Sequence, residues 1–302
     1  MAKDKITIKV WGGLGNQLFG WATGYAVAQH QKLDLEIDAS RCTARNTFLH
    51  EFGIEIAKMP YALTVGSSES KGLSFRNLLQ NTNLAYLRRL YIFLRKYYRR
   101  LNLKNNYWER STSYDPQIFN VDPGTTLNGY FQSWKYFDSV REPLLSVLKS
   151  QRNRSMDFKH YETIFSKDPW IAIHVRRTDY LEHQEMFELT SVNYYANGIN
   201  YFRQLSPEAH LAVFSDDINT ARALLPGMDL YIGPDEIKSP VETMLVMSKA
   251  HFLIGSNSSF SWWAAYMMEN THNAVIFPRP WFKNDKINSA DLLPKHWITL
   301  GI

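Results

Sequence analysis

The amino-acid sequence predicts an α/β fold built on a parallel, doubly wound sheet. Three observations carry this. Between residues 170 and 277, short apolar runs alternate strictly with helical patterns and short loops, as when crossover helices join parallel strands. At the other end, Ile6-Thr-Ile-Lys-Val10 reads as a strand that enters a glycine-rich turn and then a helical pattern through Ala22, Tyr25, Ala26 and Ala28. Polar, charged and hydroxyl residues collect just beyond the strands, where open α/β sheets hold their ligands.

With 302 residues the chain can bury a large core as one big or two medium domains. Its 45% hydrophobic and 21% charged residues exclude a disordered polymer. Aromatic residues reach 14%, which suits sugar or nucleoside binding and equally fills a core. A net charge of +5 favours an anionic partner: nucleic acid, a nucleotide or an acidic membrane. The single cysteine, Cys42, excludes an intrachain disulfide and fits a reducing compartment. It reads as a core residue. The opening Met-Ala-Lys-Asp-Lys-Ile has no signal-peptide stretch, and no run approaches the roughly 18 apolar residues that span a bilayer. A soluble cytoplasmic protein is expected.

In chain order, the first strand leads into Trp11-Gly-Gly-Leu-Gly-Asn-Gln-Leu-Phe19. Such a turn before a helix presents backbone N–H groups to an anion, and it serves equally as a plain tight turn. Leu18 stands where a dinucleotide fingerprint has its third glycine, and the Gly-Lys-Ser/Thr of a triphosphatase loop is missing. Leu33–Asp38 is the second strand; Glu36 and Asp38 share a face, yet no histidine joins them, so a structural role is expected. From Asn83 to Lys104 the chain is strongly basic, with no Asp or Glu between Glu69 and Glu109. Leu84, Leu87, Tyr91, Leu94, Tyr98 and Leu101 give its cationic helix an apolar stripe. That face is either solvated, laid on an anionic membrane surface, or bound to RNA, although no nucleic-acid module surrounds it. Thr126–Phe137 crowds aromatics and amides into a strand and turn, and Leu144, Leu145 and Leu148 mark a helix. Polar residues from Gln151 to Lys159 place the domain linkage there, giving domains 1–155 and 156–302.

The second half reads as strands Trp170–Val175, His210–Ser215, Leu230–Ile232, His251–Ile254 and Ala274–Phe277. Between them lie helices Tyr194–Leu205, Ala221–Leu225, Pro240–Ser248 and Ser259–Met268. His251, within an apolar strand, is expected to be a core histidine.

Three strand ends carry candidate chemistry. The first gives His174, Arg176, Arg177, Asp179 and Tyr180; adjacent guanidinium groups suit a phosphate. The second gives Asp216 and Asp217, suited to ribose hydroxyls or the N–H edge of guanine, while Asp217 or Asn219 also suits a helix N-cap. The third gives Ser256-Asn-Ser-Ser-Phe-Ser261 running onto a helix, more hydroxyl and amide groups than one cap needs, which favours phosphate. No serine-hydrolase elbow, zinc-protease motif or cysteine–histidine set occurs.

Together these pieces resemble the bacterial α-1,2-fucosyltransferases of glycosyltransferase family 11. The resemblance rests on Gly12-Gly-Leu-Gly-Asn-Gln17, Gly129-Tyr-Phe-Gln-Ser133, His174-Val-Arg-Arg-Thr-Asp-Tyr180, Phe214-Ser-Asp-Asp217 and Asn257-Ser-Ser-Phe-Ser-Trp-Trp263. It spans approximately residues 6 to 280, in the family's order. It implies a GT-B arrangement of two Rossmann-like domains facing a cleft, the acceptor on the N-terminal side and GDP-fucose on the C-terminal side. It further implies inverting transfer of L-fucose to O2 of a galactose, with neither cofactor nor metal.

On that footing Arg176 is the expected main contact of the departing diphosphate, assisted by Ser258, Ser259 and the Phe260 backbone, with Gly13 to Asn16 closing from the other domain. His174 orients the site or touches the donor. Gly15, Gln17, Gln132, Arg177, Tyr180, Asp216, Asp217, Asn257 and Ser261 complete the expected binding set. Asp179 either deprotonates the acceptor or pairs with an arginine; pairing is preferred, because two arginines lower a carboxylate's basicity. The general base stays unassigned. For residues 84–104 a solvated face and peripheral contact with an anionic membrane on its cytoplasmic side both stay open, and no nucleic-acid partner is expected. A non-catalytic nucleotide-sugar or polyanion-binding module, and an enzyme using another GDP- or dTDP-sugar, remain as alternatives.

Overall fold

Alternation of apolar side chains along the strands builds the molecule. In the computed structural model, which describes residues 5–42, 48–58, 105–150, 153–177, 189–268, 274–284 and 287–302, these strands form two sheets, parallel throughout. The first contains β1 (Lys5–Lys9), β2 (Asp34–Asp38), β3 (Asn106–Trp108) and β4 (Thr126–Asn128), in the order β2-β1-β4-β3. The second contains β5 (Trp170–Val175), β6 (His210–Ser215), β7 (Leu230–Ile232), β8 (Phe252–Ile254), β9 (Val275–Arg279) and β10 (Ile298–Gly301). Its order is β10-β9-β8-β5-β6-β7. The chain therefore runs outward from β5 through β6 to β7, then crosses to β8 on the other side of β5. The reversal makes a topological switch point between β5 and β8, the crevice where doubly wound sheets take ligands.

Both faces of this second sheet are covered. Ala172, Ala212, Phe214, Leu253, Val275 and Phe277 face one core cluster, and Ile171, Ile173, Val175, Val213, Ile254 and Ile276 face another. Period-two alternation sends neighbours to opposite faces, and here both faces are apolar, hence the uninterrupted apolar runs in the sequence.

Seven α-helices lie among the described residues: α1 (Leu14–Gln31), α2 (Arg141–Leu148), α3 (Met156–Phe165), α4 (Val192–Leu205), α5 (Ile218–Leu224), α6 (Pro240–Met247) and α7 (Ser259–Met267). None of the described helices is long and apolar enough to cross a membrane. Side-chain caps start most of the later ones. Ser155, Ser191, Asp217, Ser239 and Ser258 each accept a backbone N–H in the first turn of α3, α4, α5, α6 and α7. Helix α3 occupies part of the stretch read as polar linkage; only its Phe158 and Phe165 are buried.

Helices α1 and α7 join the sheets. Phe19 of α1 meets Trp262 and Trp263 of α7 at ring-centroid distances of 4.5 and 5.3 Å, and Phe137 stacks on Trp263 at 5.4 Å. All four rings are fully buried. The Trp-Trp pair is thus a packing element: each ring buries 150–250 Å², roughly, and such pairs add about 0.5–1.5 kcal/mol beyond area. The C-terminal segment returns to the first half as well, where Ser133 Oγ donates to the Asp291 carbonyl (2.8 Å) and Lys135 pairs with the Asp291 carboxylate.

Glu36 binds Lys5 and Lys58, and Asp38 accepts from Ser40 N, so both acids are structural. His251, by contrast, is exposed just before β8 and is not a core residue; the strand starts one position later than its apolar pattern. The basic stretch 84–104, with its proposed membrane face, lies outside the described residues, as do Asp179 and Tyr180.

Candidate active site

The carboxyl ends of β5, β6 and β7 open onto a cavity of about 290 Å³. His174 of β5 and Arg176 just beyond it line the cavity, as do Phe214 and Ser215 of β6 and Asp216 just beyond them. The β7–α6 connection adds Gly233, Pro234, Ile237 and Lys238, α6 adds Pro240 and Thr243, and the first turn of α7 adds Phe260. Apolar surface from Phe214, Ile237 and the prolines sits beside two cations and one carboxylate, the division expected for a ligand with a flat ring and a charged tail.

His174 occupies the switch point itself. Its Nδ1 lies 2.9 Å from Ser256 Oγ, bridging the ends of β5 and β8, and its ring lies 5.6 Å from that of Phe260. On the far face, Tyr195 Oη donates to the His174 carbonyl (3.0 Å), fixing the backbone. Burial, reinforced by the Arg176 charge, pushes the imidazole down to about 3, with Asp216 opposing. His174 is therefore neutral near pH 7 and too weak a base to take a proton there.

A neutral buried histidine also makes stability pH-dependent. The unfolded imidazole titrates near 6.5, so between that value and about 3 the unfolded chain binds the extra proton. The contribution is complete above pH 6.5 and is lost as pH falls toward 3. We expect the melting temperature to drop over that interval and His174→Asn to flatten the slope; thermal melts across pH check it, and an unchanged slope refutes it.

The two adjacent arginines diverge, as successive residues of an extended chain do. Arg176 faces the cavity, its Nε 3.4 Å from Asp216 Oδ2. Arg177 turns into the protein, 8% exposed, and Nη2 donates to the Thr190 carbonyl (3.0 Å). The expected paired-guanidinium phosphate site is thus reduced to one arginine, with Lys238 as the second lining cation. The aspartates separate too. Asp216 lines the cavity and accepts from Arg177 N (3.3 Å), whereas Asp217 caps α5 through Thr220 N and Oγ1 (3.0 and 2.6 Å).

The hydroxyl run behaves similarly. Ser258 caps α7, Ser261 is fully buried and donates to the carbonyls of Ser256 and Ser258 (3.4 and 3.3 Å), and Asn257 Nδ2 donates to the Trp281 carbonyl (3.2 Å). Ser259 and Phe260 are the members left partly open. Against Ser259 sits Gly15, so close that a Cβ there would lie 2.5 Å from the Ser259 carbonyl carbon and oxygen. The starts of α1 and α7 therefore abut beside the cavity.

Around the α1 start, Gln132 Nε2 donates to Asn16 Oδ1 (2.8 Å). Gln17 is buried and donates to the Gly12 carbonyl (2.9 Å), so it holds the turn, while Gly13 has nothing within 4 Å of a Cβ position. Phe131, at φ 51°, is a strained bulky residue; Glu109 holds that turn by accepting from Tyr130 N and Phe131 N (2.8 and 2.9 Å). Cys42 is buried, and desolvation pushes its thiol up to about 11, the behaviour of an inert core residue. Among the described residues no group of three His, Cys, Asp or Glu converges as metal ligands.

Comparison with known families decides the chain's kinship: residues 78–300 match Glycosyl transferase family 11. The chain belongs to that family. It is a glycosyltransferase of the α-1,2-fucosyltransferase family. Two relatives of nearly full length come from Escherichia coli. One is an alpha-1,2-colitosyltransferase, 27% identical, the match covering 98% of each chain. The other is the O-antigen biosynthesis glycosyltransferase WbnK, 28% identical over 96% of this chain and 98% of that one. A galactoside 2-alpha-L-fucosyltransferase of Caenorhabditis elegans is 26% identical over 62% of this chain and 56% of its own length. In this family 11 chain, sequence reasoning passed over the cavity wall between β7 and α6, including Lys238. Applying the strand-end rule to Leu230–Ile232 would have pointed there.

Proposed function

We propose that this chain transfers L-fucose from GDP-fucose to O2 of a galactose in a glycan, with inversion at the fucose anomeric carbon. The observation that carries the proposal is the cavity beside the switch point, where Arg176 and Lys238 stand with an apolar wall and a buried neutral His174. The nucleoside packs on the wall, with Asp216 at hand for a ribose or a base N–H edge. The diphosphate meets Arg176.

The C1–O bond to phosphate breaks with its electrons passing to the diphosphate, and the galactose O2 attacks C1 from the opposite face. The ring acquires oxocarbenium character, as in glycoside cleavage generally. Charge on the leaving group is stabilised by Arg176, by Lys238 and by the α7 start at Ser259 and Phe260. Fixed cations and the helix start take the place of a metal in this transfer. The acceptor hydroxyl loses its proton to a base; Asp179 keeps its two readings, as base or as ion-pair partner. The acceptor lies on the side of residues 1–155 and the donor on the side of residues 156–302.

The colitosyltransferase relative supports a second donor, since colitose is fucose without its 3-hydroxyl. The decisive assay incubates purified protein, with chelator, with either GDP-sugar and a β-galactoside, and reads GDP release and product linkage. We expect α-1,2 product from GDP-fucose. Product from GDP-colitose alone moves the chain to the second donor, and no product from either overturns the reading.

A further inference from the structure

The first sheet carries a cluster that the donor cavity leaves unused. Each of its four parallel strands delivers one residue to the same carboxyl edge: Trp11 beyond β1, Arg41 beyond β2, Trp108 at the end of β3 and Tyr130 beyond β4. The Arg41 guanidinium carbon lies over the Trp11 ring and over the Trp108 ring, 5.4 Å from each centroid. Trp11 and Tyr130 meet at 5.1 Å. Arg41 is exposed, both indoles are partly exposed, and Tyr130 is 38% exposed.

We propose that this cluster is a subsite for an anionic group on the acceptor glycan, with Arg41 as the residue that reads the charge. This rests on the reading above that the chain glycosylates a galactoside. Attraction to two ring faces places the guanidinium and takes up none of its five N–H donors. That arrangement matches a planar carboxylate or a phosphate edge. Nearby acids do not occupy it: Glu109 is committed to Tyr130 N and Phe131 N, and Asp38 to Ser40 N and Lys58. Among the described residues Arg41 makes no ion pair and no hydrogen bond through its side chain. The indole and phenol surfaces beside it suit the apolar face of a pyranose.

The cluster also lies in the right place. A Cβ at Gly12 would sit 3.5 Å from the Tyr130 ring and 3.0 Å from Asn16 Nδ2, and Gly15 abuts Ser259, neighbour of the cavity-lining Phe260. Aromatic cluster and donor cavity thus flank one helix start. A galactose between them, near Asn16 and Gln132, presents a hydroxyl toward the donor while an attached anion reaches Arg41. That anion is the carboxylate of an adjacent acidic sugar or the phosphate that links a glycan to its carrier.

Three acceptors test this: a neutral β-galactoside, the same galactoside joined to a uronic acid, and the same galactoside carrying a terminal phosphate. We expect the native protein to prefer one anionic acceptor by about tenfold in kcat/KM, the worth of one charged hydrogen bond. We expect Arg41→Met to abolish that preference while the donor KM, the melting temperature and acceptor-free hydrolysis of the donor stay unchanged. Preference for the uronic acid assigns a carboxylate, and preference for the phosphate assigns a carrier linkage. Equal use of all three by the native protein overturns the subsite while leaving the transferase reading intact, as does a preference that survives Arg41→Met. No transfer to any acceptor overturns both.

Discussion

Arg176→Ala is expected to lower kcat for sugar transfer by roughly 100- to 1000-fold, the usual loss when one pre-organised donor to a developing charge is removed. Among the described residues two cations line the cavity, and the other, Lys238, is exposed on a connection rather than set at a strand end. Arg176 is three-quarters buried by the sheet edge, and Asp216 steers its Nε side. His174 cannot substitute, because it is neutral near pH 7. Arg177 cannot swing in without abandoning the Thr190 carbonyl inside the protein. Arg176→Lys should fall between, keeping the charge but losing the planar fork. Turnover at saturating GDP-fucose, alongside a thermal melt showing a folded protein, measures the effect. Near-native turnover in Arg176→Ala refutes the assignment of Arg176 to the leaving group.

Much of the second sheet was legible because its strands are buried on both faces. Trp170–Val175, His210–Ser215 and Leu230–Ile232 stand in the structure with the bounds expected from their apolar runs. Strands β3 and β10, only three and four residues long, gave no such run, and burial in β3 is confined to Tyr107. Helix α3 was hidden because its exposed face is polar; Ser155 ahead of it is a cap that could have announced it.

Within the site, residue type located the right strand ends but not the direction of each side chain. Arg177, Asp217 and Ser261 are spent on the Thr190 carbonyl, the α5 cap and the Ser256–Ser258 turn. Strand alternation could have separated Arg176 from Arg177. The convergence of Arg41 with Trp11 and Trp108 could not be read at all, since those residues lie far apart in sequence and meet only through the order β2-β1-β4-β3.

The glycine-rich turn, ambiguous in the sequence between anion cradle and tight turn, is where stability and catalysis can be pulled apart. Gly15→Ala places a methyl group 2.5 Å from the Ser259 backbone and 2.7 Å from Ser259 Oγ. Backbone there is held by the Ser258 cap and by the Trp262 and Trp263 packing behind it, so neither helix can give way locally. The starts of α1 and α7 must separate, at about 1–3 kcal/mol for overpacking. We expect the melting temperature to fall by several degrees and transfer to drop steeply even where the protein is still folded, because Ser259 and Phe260 shift against the cavity. Gly13→Ala is the contrasting variant. Gly13 has φ −72° and ψ 169°, accessible to any residue, and open space around its Cβ position. Its melting temperature should therefore stay native. If Gly13→Ala nonetheless raises the KM for GDP-fucose, the open space is where ligand approaches the backbone, and the turn serves as a cradle. If only Gly15→Ala has an effect, the turn acts through helix packing alone. A native melting temperature and native turnover in Gly15→Ala would show that the contact with Ser259 does not hold the two helix starts together.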